Sequence, residues 1–198
     1  MLEFDDVKLL AANALARQPF YRTLGITVPI VLAYTWQESG VAGGERGGSR
    51  WTWDEYAVGD GGKSFGLGQI QLASAQEVGF SGSFGELMHP ETNLHYSLAY
   101  LAKQVRRFGL RNGLAAYNAG PGNVARGRAR NGPTYVDPVL RRAAVFHELV
   151  YGGAVPFPTP TPPAPPAPPA AVAGFPRWLG IVFLAGILRR VLRRGRSQ

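Results

Sequence analysis

The sequence predicts a mostly α-helical domain, followed by a Pro-rich spacer and a short apolar helix with a basic end. Three observations predict it. Apolar residues recur at helical spacing in well-separated segments of the first 153 residues. Prolines then take over, nine of them in the seventeen residues AVPFPTPTPPAPPAPPA. Last comes an uncharged apolar run of eleven residues, Trp178 to Leu188, with arginine on both sides. The divisions fall at 1–153 for the folded domain, 154–176 for the spacer and 177–198 for the terminal helix.

The domain opens with an amphipathic helix from Phe4 to Arg17. A second helix follows in GITVPIVLAYTWQESG, with Thr27 as N-cap, Pro29 in the first turn where its missing N–H costs nothing, and Gly40 as the stop. Residues 28–36 are apolar nearly all round, as expected of a helix in the middle of a core. Residues 40–63 read as a loop or small hairpin in which Trp51 and Trp53 serve either a small core or sugar stacking. A short helix occupies the second half of SFGLGQIQLASAQEVGF. Leu94, Leu98, Leu101, Val105 and Phe108, spaced four, three, four and three, define an amphipathic helix that Gly109 ends. GLAAYNAGPGNV gives one or two turns stopped at Gly120-Pro121, and TYVDPVLRRAAVFHELVYGG gives the last helix, with Pro138 near its start. The spacer is polyproline-like; at about 3.1 Å per residue, residues 156–170 reach on the order of 45 Å.

Composition excludes several classes. The chain has no cysteine, so disulfides and thiol chemistry are absent. His89, His95 and His147 stand in no ligand-like spacing, so neither a metal nor a cofactor is expected. The net charge of +8 is mainly a tail property: residues 1–176 hold 15 cations and 13 carboxylates, whereas residues 177–198 hold six arginines and no acid. That distribution argues against nucleic acid as a partner and for a membrane met by the C-terminal segment, as a span or as a surface helix. The start of the chain, acidic and helically spaced, differs from a secretory signal.

Three elements carry polar groups suited to chemistry. Glu38 ends a strongly apolar helix in Trp36-Gln37-Glu38-Ser39-Gly40. The negative end of the helix dipole and the apolar surroundings both disfavour its charged form, which suits an acid that holds its proton near neutral pH. Ser64-Phe65-Gly66-Leu67-Gly68-Gln69-Ile70 offers small residues for close backbone approach and an amide for hydroxyls. Tyr117 and Asn118, in Ala116-Tyr117-Asn118-Ala119-Gly120, offer a ring for stacking and an amide for an N-acetyl group. Taken singly, each has a plain structural explanation: a helix-end polar residue, a Gly-rich turn, a core Tyr with an Asn C-cap.

In this order, Glu-Ser-Gly, Gly-Leu-x-Gln and Ala-Tyr-Asn-Ala-Gly resemble the soluble lytic transglycosylase family, glycoside hydrolase family 23, related to goose-type lysozyme. The resemblance runs from about Leu24 to Tyr151 and takes in Pro90-Glu91-Thr92-Asn93-Leu94, Tyr100-Leu101 and Tyr135-Val136. It implies a lysozyme-like fold and cleavage of the β-1,4 bond between N-acetylmuramic acid and N-acetylglucosamine, with a 1,6-anhydro product. Glu38 is then the single catalytic acid/base. Ser39, Ser64, Gln69, Tyr117, Asn118 and Tyr135 match substrate-binding positions, and peptidoglycan strands are the partner. Two departures stand out. Gly68 replaces the family's usual Met, which predicts a more open cleft wall. The stretch between Glu38 and Gly66 is about ten residues longer than usual and brings Asp54, Glu55 and Asp60. Asp60 is the candidate for a second carboxylate that holds water, as in inverting hydrolysis, although an Asp before two glycines is also an ordinary turn residue. The alternatives are therefore a hydrolytic lysozyme and a non-catalytic wall-binding virion module. For location, a membrane-associated phage virion protein is expected, with a bacterial inner-membrane protein facing the periplasm as the alternative.

Overall fold

A computed structural model describes residues 1–41 and 51–153 of the chain. The expected spacer and terminal helix, and residues 42–50 of the expected loop, lie outside the described residues. The chain runs β1 (Leu2–Glu3), α1 (Phe4–Arg17), α2 (Phe20–Thr23), α3 (Val28–Ser39), then four two-residue strands, β2 (Thr52–Trp53), β3 (Val58–Gly59), β4 (Ser64–Phe65) and β5 (Ile70–Gln71). It continues through α4 (Leu72–Gln76), α5 (Phe84–Met88), α6 (Pro90–Ala119), α7 (Pro121–Ala125), a single π turn (Gly132–Val136) and α8 (Asp137–Tyr151). The domain is mostly helical, as the apolar periodicity predicts.

Helix α1 has the predicted bounds because a capping box closes its start. The Glu3 amide donates to Asp6 (3.0 Å) while the Glu3 side chain accepts from the Asp6 amide. Val28 through Thr35 of α3 are all buried, so this helix is the centre of the main core. Thr27 does stand at the N-cap of α3, but its side chain makes no cap hydrogen bond, and Pro29 lies in the first turn as expected. In α6, Gly109 takes φ 77°, breaking the helix where the apolar spacing ends. The second piece runs to Ala119, a little longer than the one or two turns expected.

Two apolar clusters result. The larger gathers Leu15, Ile30, Leu32, Leu98, Leu101, Val139 and Phe146 from α1, α3, α6 and α8. The smaller, formed by Phe65, Ile70, Phe80, Leu87 and Tyr100, lies under the sheet lobe. Tyr117 packs against both. Each buried Leu, Ile or Phe contributes about 1.5–3 kcal/mol, so each lobe has its own adhesive.

Strands β3, β4 and β5 form an antiparallel meander with Val58 opposite Phe65 and Phe65 opposite Ile70. β2 pairs with β1, setting Trp53 opposite Leu2. This pairing settles the two tryptophans. Trp53 is fully buried, donates Nε1–H to Thr35 Oγ1 (3.1 Å) and stacks on Phe146. Trp51 wedges between Trp36 and Phe146. Both serve the core, and the sugar-stacking alternative is withdrawn for them. Helix α5 was not expected, although Ser83 and Glu86 form the S-x-x-E capping box that announces it.

Candidate active site

Glu38 is the penultimate residue of α3. It emerges from the main core into a cleft of ≈ 360 Å³ between the two lobes. The floor and walls include Asp60, Ser64, Gln69, Gln71, Tyr100, Tyr117 and Asn118. Burial pushes the Glu38 carboxyl up to about 7; the Tyr135 hydroxyl opposes this, and the charge of Asp60 adds to it. Tyr135 Oη donates to Glu38 Oε1. It does so from the π turn before α8, whose widened geometry lets both the Tyr135 and Val136 amides reach Asn131 O (2.8 and 3.3 Å). A carboxylic acid fixed at one oxygen by a phenol, and holding its proton near neutral pH, is equipped to donate that proton and later to take one back.

The far wall is held by side chains bonded to backbone. Asn93, fully buried on α6, accepts from the Gly68 amide (2.9 Å) and donates to Phe65 O (2.8 Å) and Leu87 O (3.0 Å). It thereby fixes the β4–β5 turn. Gly66 in that turn has φ 68°, and a Cβ there would stand 2.4 Å from Asn93 Nδ2, so glycine is required twice over. Tyr117 Oη donates to Gly68 O (2.5 Å), and Tyr34 Oη lies 3.0 Å from Ser97 Oγ. The Tyr117 ring packs on Tyr34 and Tyr100, at 5.6 and 5.7 Å between centroids. These three aromatic rings form part of the apolar backing of the cleft.

Of the seven predicted site residues, five line the cleft together: Glu38, Ser64, Gln69, Tyr117 and Asn118. Tyr135 reaches the cleft through Glu38. Ser39 lies behind it, its hydroxyl directed to Thr35 O (3.1 Å) and Leu67 O (2.8 Å), so it ties α3 to the turn. Gln69 sits at the turn's end with φ 45°. Its amide N–H groups go to Ala57 O (2.8 Å) and Gly66 O (3.0 Å), which leaves its Oε1 side rather than its donors for a ligand. Asp60 accepts from Ser64 Oγ (2.6 Å) and, more weakly, Gln71 Nε2 (3.4 Å). Of the other two candidate acids, Asp54 accepts from the Tyr56 amide and Glu55 is buried away from the cleft. Asn93 and Tyr100 belong to quoted motifs but had no assigned role. Ser97 was missed, although a serine between Leu94, Leu98 and Leu101 on the apolar face is a visible anomaly. Among the described residues no group of His, Asp and Glu is gathered as a metal site would require.

A model of the transglycosylase SLT domain matches residues 24–135. The chain belongs to this family. The match spans every cleft residue named above and ends on Tyr135. No curated protein sequence matches the chain. Among solved structures it is similar to a lytic transglycosylase Slt of Pseudomonas aeruginosa, an inactive mutant, with TM-score 0.54 and 21% identity over 71% of this chain and 24% of that one. It is also similar to the 70-kDa soluble lytic transglycosylase of Escherichia coli, with TM-score 0.50 and 26% identity over 63% and 22% of the two chains. A complex of a 70-kDa soluble lytic transglycosylase with bulgecin A gives TM-score 0.51 at 24% identity, over 63% and 22%. The chain thus spans about a quarter of the length of these proteins. The helical body is the lysozyme-like fold of the SLT family.

One family departure reads differently in three dimensions. Gly68 does not open the cleft wall: a Cβ there would stand 2.5 Å from Ser97 Cβ and 3.2 Å from Tyr117 Oη. The volume that a side chain would enter is already filled by Ser97 and Tyr117. The expected opening is therefore corrected to a close backbone contact.

Proposed function

We propose that this chain is a peptidoglycan lytic transglycosylase that cleaves the bond between N-acetylmuramic acid and N-acetylglucosamine. The observation that carries this reading is Glu38: buried, with its proton held to about pH 7 and fixed by Tyr135, at the floor of the cleft of an SLT-family domain. Glu38 protonates the glycosidic oxygen as the bond to the muramoyl C1 breaks. As a carboxylate it then takes the proton of the muramoyl C6 hydroxyl, whose oxygen closes on C1 to give the 1,6-anhydro ring. No enzymic nucleophile is needed, and the overall change is elimination without water. Asn118, exposed at the cleft edge, and the rings of Tyr100 and Tyr117 are suited to amide and sugar contacts.

A second reading is supported by Asp60. It lines the same cleft, is held by Ser64, and its charge is felt by Glu38. If Asp60 directs a water at C1, the product is a reducing muramic acid. Mass spectrometry of fragments released from purified peptidoglycan separates the two. We expect the anhydro product, lighter by one water; dominance of reducing ends would refute it in favour of Asp60.

For location, we propose a membrane-associated enzyme, in the setting of a phage particle, with residues 177–198 as the attachment. The support is compositional: an apolar run flanked by six arginines, each worth about 1 kcal/mol near anionic lipid. Flotation of the full chain with anionic liposomes should carry it to the top at low salt. Recovery in the bottom fraction would end the membrane proposal.

A further inference from the structure

Two asparagines stand between the catalytic cleft and the π turn that carries Tyr135. Asn118, exposed near the end of α6, lines the cleft. Asn131 is the residue just before the π turn. Its Nδ2 donates to Asn118 Oδ1 (2.9 Å) and to Ala115 O (3.1 Å). Its backbone carbonyl accepts from the Tyr135 amide (2.8 Å) and the Val136 amide (3.3 Å). Tyr135 in turn holds Glu38. One residue therefore meets the support of the acid with its backbone and the amide of the cleft wall with its side chain.

The orientation of both side-chain amides follows from Ala115. A backbone carbonyl only accepts, so the Asn131 atom that faces it is the nitrogen. The same nitrogen faces Asn118, so the Asn118 atom it meets is the oxygen. Turning the Asn131 amide over would set its oxygen against two acceptors. As it stands, Asn131 Oδ1 is buried without a hydrogen-bond partner among the described residues. That unpaired acceptor is unfavourable, and the two bonds from Nδ2 are what offset it. With its oxygen held by Asn131, Asn118 has its NH2 left for the cleft, and that group makes no hydrogen bond among the described residues.

We propose that Asn131 is a positioning residue: its side chain locks the Asn118 amide with the NH2 toward the cleft, so that the wall presents a donor to the acyl oxygen of an N-acetylated sugar. The identity of the ligand rests on the transglycosylase reading. A free asparagine amide presents either end, because its oxygen and its nitrogen are nearly the same in shape. An oxygen turned to the cleft would meet the acyl oxygen as a second acceptor and repel it. The lock removes that state in advance, which raises affinity without adding a contact. It acts on binding. The bond to the acyl group is the same before and during strand cleavage, so it lowers KM and leaves kcat alone.

The test is a mutant cycle in the full chain, with a β-1,4-linked tetramer of N-acetylglucosamine as the probe. Binding is measured in the Glu38→Gln background, which leaves the tetramer uncut. Asn131→Ala frees the Asn118 amide to turn and should weaken binding about threefold. Asn131→Asp only accepts, so it draws the Asn118 NH2 away from the cleft and should weaken binding about tenfold. A residue that merely fills space gives the opposite ranking, since Asp keeps the shape of Asn and Ala does not. With Asn118→Ala already present, either change should add less than about twofold. On peptidoglycan strands, with Glu38 restored, KM should rise by the same factors. The kcat and its alkaline limb should stay, because the residue 131 carbonyl that carries Tyr135 is present in every variant. Asp milder than Ala, no tetramer binding at all, or a loss of equal size with the Asn118 amide already removed, overturns the proposal. Where Asn131→Asp impairs folding, the Ala arm decides: a loss that persists without the Asn118 amide overturns the lock. Either result, with strands still cleaved by the wild type, leaves the transglycosylase reading standing. The expected ranking in tetramer binding, with no cleavage of strands by the wild type, removes that reading and leaves the lock.

Discussion

Replacing Glu38 by Gln should stabilise the folded protein while it abolishes strand cleavage. Gln is shaped like the protonated acid, can still accept from Tyr135 Oη, and cannot ionise. In the wild type the folded-state carboxyl titrates near 7 against 4.5 for an unperturbed one. A folded pKa above the unfolded one means that the folded protein binds the proton more tightly. Stability is therefore fully present below about pH 4.5, falls as pH rises through the interval, and reaches its floor above about pH 7. At 1.36 kcal/mol per unit, the loss is about 3 kcal/mol, and about 2 kcal/mol once the partial solvent access of the carboxyl is allowed for. For a domain of this size that corresponds to roughly 4–12 °C in Tm. Urea unfolding of wild type and Glu38→Gln at pH 4 and pH 8 reads it directly. The two proteins should be equally stable at pH 4, and the variant should be more stable by about 2–3 kcal/mol at pH 8. Equal stability at pH 8 would show that the carboxyl is not held high, and the general-acid argument would fall with it. Undiminished cleavage by Glu38→Gln would remove the catalytic assignment altogether.

Two further substitutions probe the supports of Glu38. Tyr135→Phe removes the one hydroxyl that lowers the Glu38 pKa. The alkaline limb of the kcat/KM profile should move to higher pH, and the rate should fall about 10- to 100-fold; an unmoved limb would show that Tyr135 only fills space. Gly68→Ala drives a methyl into Ser97 and should cost about 1–3 kcal/mol, with Ser97→Gly in the same chain recovering most of it. A Gly68→Ala protein as stable as the wild type would restore the open-wall reading.

Much of the helical framework was legible because it rests on local rules. The bounds of α1, the all-round burial of α3 and the break at Gly109 each follow from a spacing or a backbone preference visible within one segment. Glu38 was legible for the same reason, since a carboxylate closing an apolar helix is costly wherever it stands. The roles of Gln69, Ser39 and Gly68 were not. Gln69 looks like a sugar ligand in the sequence, yet its donors go to Gly66 in its own turn and to Ala57, whose carbonyl comes within reach only through the register of β3 against β4. Gly68 looks like a missing wall until α6 presents Ser97 from 29 positions further along the chain.

The site is thus assembled from two kinds of polar residue with opposite duties. Asn93, Ser39 and Tyr117 direct donors or acceptors at backbone of the Gly66–Gln69 turn. Such bonds hold a wall still, and an unmade one in a buried setting costs about 1–3 kcal/mol, so these positions tolerate little change. Glu38 is treated in the reverse manner: one hydroxyl touches it, apolar burial surrounds it, and Asp60 repels its charge. A carboxyl given as many donors as Asn93 satisfies would titrate low and would have no proton to give at neutral pH. The cleft therefore needs a rigid wall and an under-solvated acid at once. Placing Glu38 at the end of a buried helix, with the bonding capacity of its neighbours already directed to the turn, supplies both.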